Sequence, residues 1–115
     1  MKQETTKGLE KDKDMLVIVE GKKDALALQE LEFKNIFILN KVGKSLNEQV
    51  EKIESLASGK EVCILTDFDK RGKSLYLRLR AELSIRKIKL DNRLRSELLK
   101  EKVSHIEGLK VQDGN

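Results

Sequence analysis

The hydrophobic residues of this chain fall into short runs separated by longer, mostly polar stretches that carry a helical repeat. Leu16-Val17-Ile18-Val19, Asn35-Ile36-Phe37-Ile38-Leu39 and Val62-Cys63-Ile64-Leu65-Thr66 are rich in β-branched residues and predict strands. The first, at about 15–20, leads into a helix expected near 23–32, with Ala25, Leu28 and Leu31 as its buried stripe. Ser45 with Glu48 three residues on forms a capping box for a second helix. Its apolar face is Leu46, Val50, Ile53 and Leu56/Ala57, and Gly59 ends it. A third helix, about 71 to 84, is expected to bury Leu75, Leu79 and Leu83. From Ile85 to Leu90 apolar and basic residues alternate imperfectly, which predicts a short strand near the sheet edge. Asp91 or Asn92 can cap a last helix through Leu94, Leu98 and Leu99, ahead of a short Val103-Ser104-His105-Ile106 segment.

Alternation of strands and helices with short connections predicts a right-handed, parallel α/β sandwich. Wholly apolar strands are typical of parallel sheets covered on both faces, and such sheets bind ligands beyond the carboxyl ends of their strands. The first and third strands both end in acids: Glu20-Gly21-Lys22-Lys23-Asp24 after one, Asp67-Phe68-Asp69-Lys70-Arg71-Gly72 after the other. For these acids to meet, the two strands must be neighbours at a switch point in the sheet.

Composition narrows the class. The 115 residues suit a single domain, expected at 15–110 behind a polar, frayed N-terminal arm at 1–14. Charged and hydrophobic residues each make up 38%, as in a soluble globular protein. No apolar run approaches the roughly 20 residues that a membrane helix needs. The start carries no signal-peptide core, and Cys63, the single cysteine, has no disulfide or zinc partner. A cytoplasmic protein without a membrane partner is expected. Charge is unevenly spread: residues 70 to 102 hold twelve Lys/Arg against four acids, so this segment carries +8 and the rest −4. A basic surface beside a carboxylate cluster suits a polyanion whose phosphate is handed to a metal, although any single Lys or Arg can be a solvated side chain.

Asp67 and Asp69, two apart in an extended segment, can face one site and offer hard oxygen ligands to Mg²⁺ or Mn²⁺. The alternative is that one or both cap the following helix, where negative charge is favoured. Glu20 can act as a general acid/base or as a further metal ligand. Asp24, one helical turn later, is a possible additional acid or simply a first-turn acid of the helix. Lys22, Lys23, Lys70, Arg71 and Lys73 flank the acids and are candidates for clamping phosphates. Gly21 leaves little bulk beside Glu20, Gly43 follows the second strand at the site's rim, and Gly72 opens backbone N–H groups near a helix start. Gly43-Lys44-Ser45 and Gly72-Lys73-Ser74 are not P-loops, because Ile38 and Asp67 stand where that loop needs its first glycine. His105 lacks ligands at metal spacing, Cys63 reads as core, and nothing in the sequence supports Tyr76 as a nucleophile.

Taken together, Val17-Ile18-Val19-Glu20-Gly21-Lys22-Lys23-Asp24, Asn40-Lys41-Val42-Gly43 and Ile64-Leu65-Thr66-Asp67-Phe68-Asp69 resemble a Toprim domain, over about residues 15 to 107. Toprim domains occur in bacterial-type primases, type IA and type II topoisomerases, OLD-family nucleases, RecR-like repair proteins and the ribonucleases that mature 5S ribosomal RNA. The similarity is greatest to the last group and to small stand-alone Toprim proteins. The resemblance implies a three-layer α/β/α, Rossmann-like fold around a central, mainly parallel four-stranded sheet. It also implies Glu20 as general acid/base and Asp67 and Asp69 as holders of Mg²⁺. A zinc finger, a polymerase-like domain, a topoisomerase tyrosine domain and an OLD-type ATPase are not recognisable in these residues. Substrate recognition is therefore expected in the basic 70–102 surface, in an oligomer or in another protein.

Three functional readings follow. The first is Mg²⁺-dependent phosphodiester cleavage or transfer on RNA or DNA, nuclease-like. The second is a non-catalytic module that binds nucleic acid or a partner within a larger complex for RNA processing, replication or repair. The third, a phosphoacceptor pocket, needs paired acids after the first strand, whereas Glu20 is followed there by Gly21.

Overall fold

The computed structural model describes residues 13–39 and 45–100; the arm before residue 13, Gly43 and the 103–106 segment lie outside them, as does the expected boundary at 110. The elements run β1 (Leu16–Val19), α1 (Lys22–Glu30), β2 (Asn35–Ile38), α2 (Leu46–Leu56), β3 (Val62–Leu65) and α3 (Lys70–Ile85). Residues 93–100 are helical again and are called α4.

The strands form one parallel sheet in the order β2-β1-β3. Val19, the last residue of β1, lies opposite Ile38 on one side and Leu65 on the other. The chain therefore leaves β1 towards β2 and returns past it to β3, which makes the first and third strands neighbours and puts the switch point between them.

Alternate strand residues feed two separate cores, because side chains in a strand point to opposite faces. Leu16, Ile18, Val62 and Ile64 pack with Val50 and Ile53 of α2 and Leu79 and Leu83 of α3. On the opposite face Val17, Val19 and Cys63 pack with Ala25 and Leu28 of α1 and Leu94 of α4. The fold is thus a three-layer α/β/α sandwich. Capping follows the sequence at α2, where the Ser45 hydroxyl accepts from the Glu48 N–H at 3.2 Å and donates to its carboxylate at 3.3 Å. Leu31, expected in the α1 stripe, instead falls just past the helix and is 50% exposed, where Glu32 turns the chain at φ 70°. No helix among the described residues is long and apolar enough to cross a membrane.

The expected fourth strand is the main correction. Among the described residues the sheet has three strands, and the 85–90 stretch contributes a single parallel bridge, Val62 to Leu90. In it the Val62 N–H donates to the Lys89 carbonyl and the Asp91 N–H to the Val62 carbonyl, both at 2.9 Å. Ile85 still belongs to α3, because Arg86 donates back to the Glu82 carbonyl (3.1 Å) and carboxylate (3.0 Å). An i,i+4 pair of this kind holds the last helical turn against the weaker alternation of apolar and basic residues. Lys87 then turns the chain at φ 61°.

Candidate metal and nucleic-acid site

At the carboxyl edge of the sheet, β1 and β3 end side by side, and their acidic motifs come into direct contact. The backbone N–H of Asp67 donates to Oε2 of Glu20 at 2.7 Å. Glu20 is half-buried, whereas the Asp67 and Asp69 side chains stand in solvent. The bond joins residues that are 47 apart in sequence.

Asp69 is held in a different way. It is the N-cap of α3, and its Oδ1 accepts from the Gly72 N–H at 2.7 Å, which leaves Oδ2 outside the cap. The helix-cap alternative is therefore real for this residue. Gly72 is also corrected: its N–H is occupied by that cap and is not open to an anion. Its lack of a side chain serves packing, since a Cβ there would sit 2.0 Å from the Asp67 carbonyl oxygen. The buried Thr66 hydroxyl donates to the Gly72 carbonyl at 2.7 Å, closing the loop between β3 and α3.

Asp24 lies in the first turn of α1, with its Oδ2 3.7 Å from where a Cβ on Gly21 would be. Together with Asp67 and Phe68 it lines a cleft of about 220 Å³ whose apolar walls include Val19, Leu28, Leu65 and Leu98. The structure thus brings Glu20 onto the Asp67 backbone and sets Asp24 and Asp67 on one cleft, while Asp69 caps its own helix. Among the described residues no three Asp, Glu, His or Cys side chains stand together as a ready-made metal cage. The donor chemistry still fits Mg²⁺, which takes one or two carboxylates and fills its other positions with water and substrate phosphate.

The sequence reading missed the residue behind these acids. Arg95, counted there as one more surface cation, is 8% exposed. Its Nη1 donates to the carbonyls of Thr66 (2.8 Å) and Ile64 (3.2 Å) and reaches the Thr66 hydroxyl at 3.3 Å. The guanidinium carbon lies 4.3 Å from the centre of the Tyr76 ring and 4.8 Å from that of Phe68. Burial pulls its pKa down, and the nearby Tyr76, Cys63, Glu20 and Asp67 oppose that shift. A helical wheel would have flagged it, because Arg95 is only 60° from Leu98 on the apolar side of α4.

Apart from Arg95 and Lys87, the described cations of the basic segment divide into two populations. Arg86 pairs with Glu54 and Glu82, Lys89 with Glu61, Arg93 with Asp91 and Lys100 with Glu97. Lys70, Arg71, Lys73, Arg78 and Arg80 are exposed on α3, and none of them forms an ion pair among the described residues. Lys22 and Lys23 are exposed at the start of α1. Asp91 is held at a pKa of about 2, first by its side-chain hydrogen bonds from Arg93. The Arg93 N–H also donates to Asp91 Oδ1 at 2.9 Å, which fixes the entry to α4.

Known proteins place the chain in a family. The sequence profile of the Toprim domain matches residues 15–107. A UPF0292 protein of Methanocaldococcus jannaschii is 36% identical over 87 residues, covering 71% of this chain and 62% of that protein. Another UPF0292 protein, from Methanosarcina barkeri, is 45% identical over 64 residues, covering 56% of this chain and 43% of its own length. The chain thus spans about three-fifths and two-fifths of these curated relatives. A solved structure of a protein from Aquifex aeolicus matches with a TM-score of 0.68 at 27% identity, over 88% of this chain and 91% of that one.

Proposed function

The chain belongs to the Toprim domain family, a nucleic-acid-related and metal-associated group, and from that premise we propose that it is a Mg²⁺-dependent, nuclease-like module acting on phosphodiesters. The observation that carries the reading is the 2.7 Å bond from the Asp67 N–H to Glu20, which seats both acidic motifs at one strand edge. Glu20, Asp67 and the uncapped Oδ2 of Asp69 are the oxygens that would hold Mg²⁺ or Mn²⁺. Such a cation supplies neutralisation of the charge on the reacting phosphate.

The protein's own residues carry the remaining steps. Glu20, fixed by the Asp67 N–H, takes a proton from the attacking water as the new phosphorus–oxygen bond forms and returns it to the leaving oxygen as the ester bond breaks. Lys70, Arg71 and Lys73, in the first turn of α3, orient the backbone phosphates of an RNA or DNA strand. Lys22 and Lys23 approach the same strand from α1. Purified protein is expected to cleave nucleic acid only with Mg²⁺ or Mn²⁺, and Glu20→Gln and Asp67→Asn are expected to abolish cleavage while remaining folded. Cleavage that survives both changes rules out this site.

The capped state of Asp69 favours a second reading, a non-catalytic module that binds nucleic acid or a partner within a larger complex. One oxygen of an expected metal ligand is already committed to the fold. Salt-dependent binding without turnover would identify that case.

A further inference from the structure

We propose that Arg95 is a positioning residue of the acidic edge: its guanidinium sets the path of the chain from Thr66 to Gly72 and holds a fixed positive charge behind Glu20 and Asp67. The proposal rests on the metal reading above and adds to it a residue that neither motif contains.

Among the described residues, only Val62 has a strand-like partner beyond β3, through the bridge to Leu90. Alternate residues of a strand direct their backbone groups to the same side, so Ile64 and Thr66 present carbonyls along that open edge. Buried carbonyls need partners. Arg95 Nη1 reaches both, at 3.2 and 2.8 Å, and so does the work of a strand partner at the level where the acids begin.

From there a chain of bonds leads to the site. Arg95 meets the Thr66 hydroxyl, which donates to the Gly72 carbonyl, and the Gly72 N–H donates to Asp69. The guanidinium also stacks on Phe68, the residue between the two aspartates, while Tyr76 of α3 covers it at 4.3 Å. A planar, delocalised guanidinium can lie flat against rings while one of its nitrogens bonds the carbonyls; an ammonium has the donors but no plane to stack. Its charge does not depend on pH in the working range, so it offsets the mutual repulsion of the carboxylates in front of it.

Mn²⁺ binding, read by electron paramagnetic resonance, tests this in the whole chain carrying Arg95→Met, Arg95→Lys, Tyr76→Leu or, as a stability control, Leu83→Ala. Leu83 is buried in the α2/α3 core, and its truncation destabilises without touching this network. The expected result is an affinity loss of about tenfold or more in Arg95→Met, as for other supporting partners of metal ligands. Arg95→Lys and Tyr76→Leu should fall between that and wild type, and Leu83→Ala should bind normally. Should Arg95→Met not fold, the Lys and Tyr76 variants decide. Wild-type affinity in Arg95→Lys and Tyr76→Leu, or a loss in Leu83→Ala that tracks its stability, overturns the proposal. If wild-type protein binds no Mn²⁺, the metal reading fails by itself. Arg95 is then judged by amide hydrogen exchange at residues 67–73: faster exchange in Arg95→Lys than in Leu83→Ala upholds its positioning role, and equal exchange refutes it.

Discussion

Gly72 and Asp67 approach so closely that no side chain fits between them: a Cβ on residue 72 would lie 2.0 Å from the Asp67 carbonyl oxygen and 2.5 Å from its carbonyl carbon. Because the obstructing atoms are backbone, they cannot rotate away. Gly72→Ala would gain about 1 kcal/mol of helix propensity, yet the forced shift costs more, roughly 1–3 kcal/mol or above for overpacking of this kind. It would also displace Asp67 from Glu20. Net destabilisation in urea melts is therefore expected, whereas Gly21→Ala, whose Cβ would make only a 3.7 Å contact, should melt near wild type. Equal behaviour of the two variants would contradict this account of the α3 start.

Asp69 serves the fold and, on the proposed reading, the metal, and two substitutions separate those roles. Asparagine is as good an N-cap as aspartate, so Asp69→Asn should retain stability to within a few tenths of a kcal/mol. Alanine removes the acceptor for the Gly72 N–H and should cost about 1 kcal/mol. Mn²⁺ affinity is expected to fall in both, because both lose the charge. An Asp69→Asn protein that binds Mn²⁺ like wild type would restrict the residue to capping.

The Asp91–Arg93 pair gives a pH signature remote from the site. The folded carboxyl titrates near pH 2, below the roughly 3.9 of an unfolded aspartate. A folded pKa below the unfolded one stabilises at pH above about 4, and this contribution is lost as pH falls through about 2. Arg93 remains 66% exposed, so the contribution should not exceed about 1 kcal/mol. Urea midpoints measured from pH 5 to 2 should drop less in Asp91→Asn than in wild type. Parallel curves would show that Asp91 does not carry the difference.

What the sequence disclosed and what it hid follow from the range of the interactions. The strands were legible because residues such as Val17-Ile18-Val19 are buried on both faces, and the Ser45 cap because its partner is three residues away. The neighbouring positions of β1 and β3 followed from the acids at their ends. The 85–90 stretch was misread because its alternation competes with a helical pair, Glu82–Arg86, and only the three-dimensional balance decides between them. Arg95 was hidden for another reason: its partners, the Ile64 and Thr66 carbonyls, are backbone atoms 31 and 29 residues away and leave no side-chain signature.

The division of the basic segment predicts where salt dependence arises. Lys70, Lys73 and Arg80 recur at helical spacing along one flank of the exposed side of α3, with Arg71 and Arg78 along the opposite flank, and none forms an ion pair among the described residues. Lys89 and Lys100, equally basic in sequence, already face Glu61 and Glu97. Each phosphate contact releases counterions and contributes about 0.7 to the slope of log affinity against log salt on single strands, or about 0.9 on duplex DNA. Lys73→Gln and Arg80→Gln together should reduce the slope by about 1.4 to 1.8 and weaken binding at low salt. Lys89→Gln with Lys100→Gln should change it little, because those charges are locally compensated. A slope unaffected by the α3 changes would move the nucleic-acid contact off this helix, and one reduced equally by both pairs would mean that the segment acts through net charge alone.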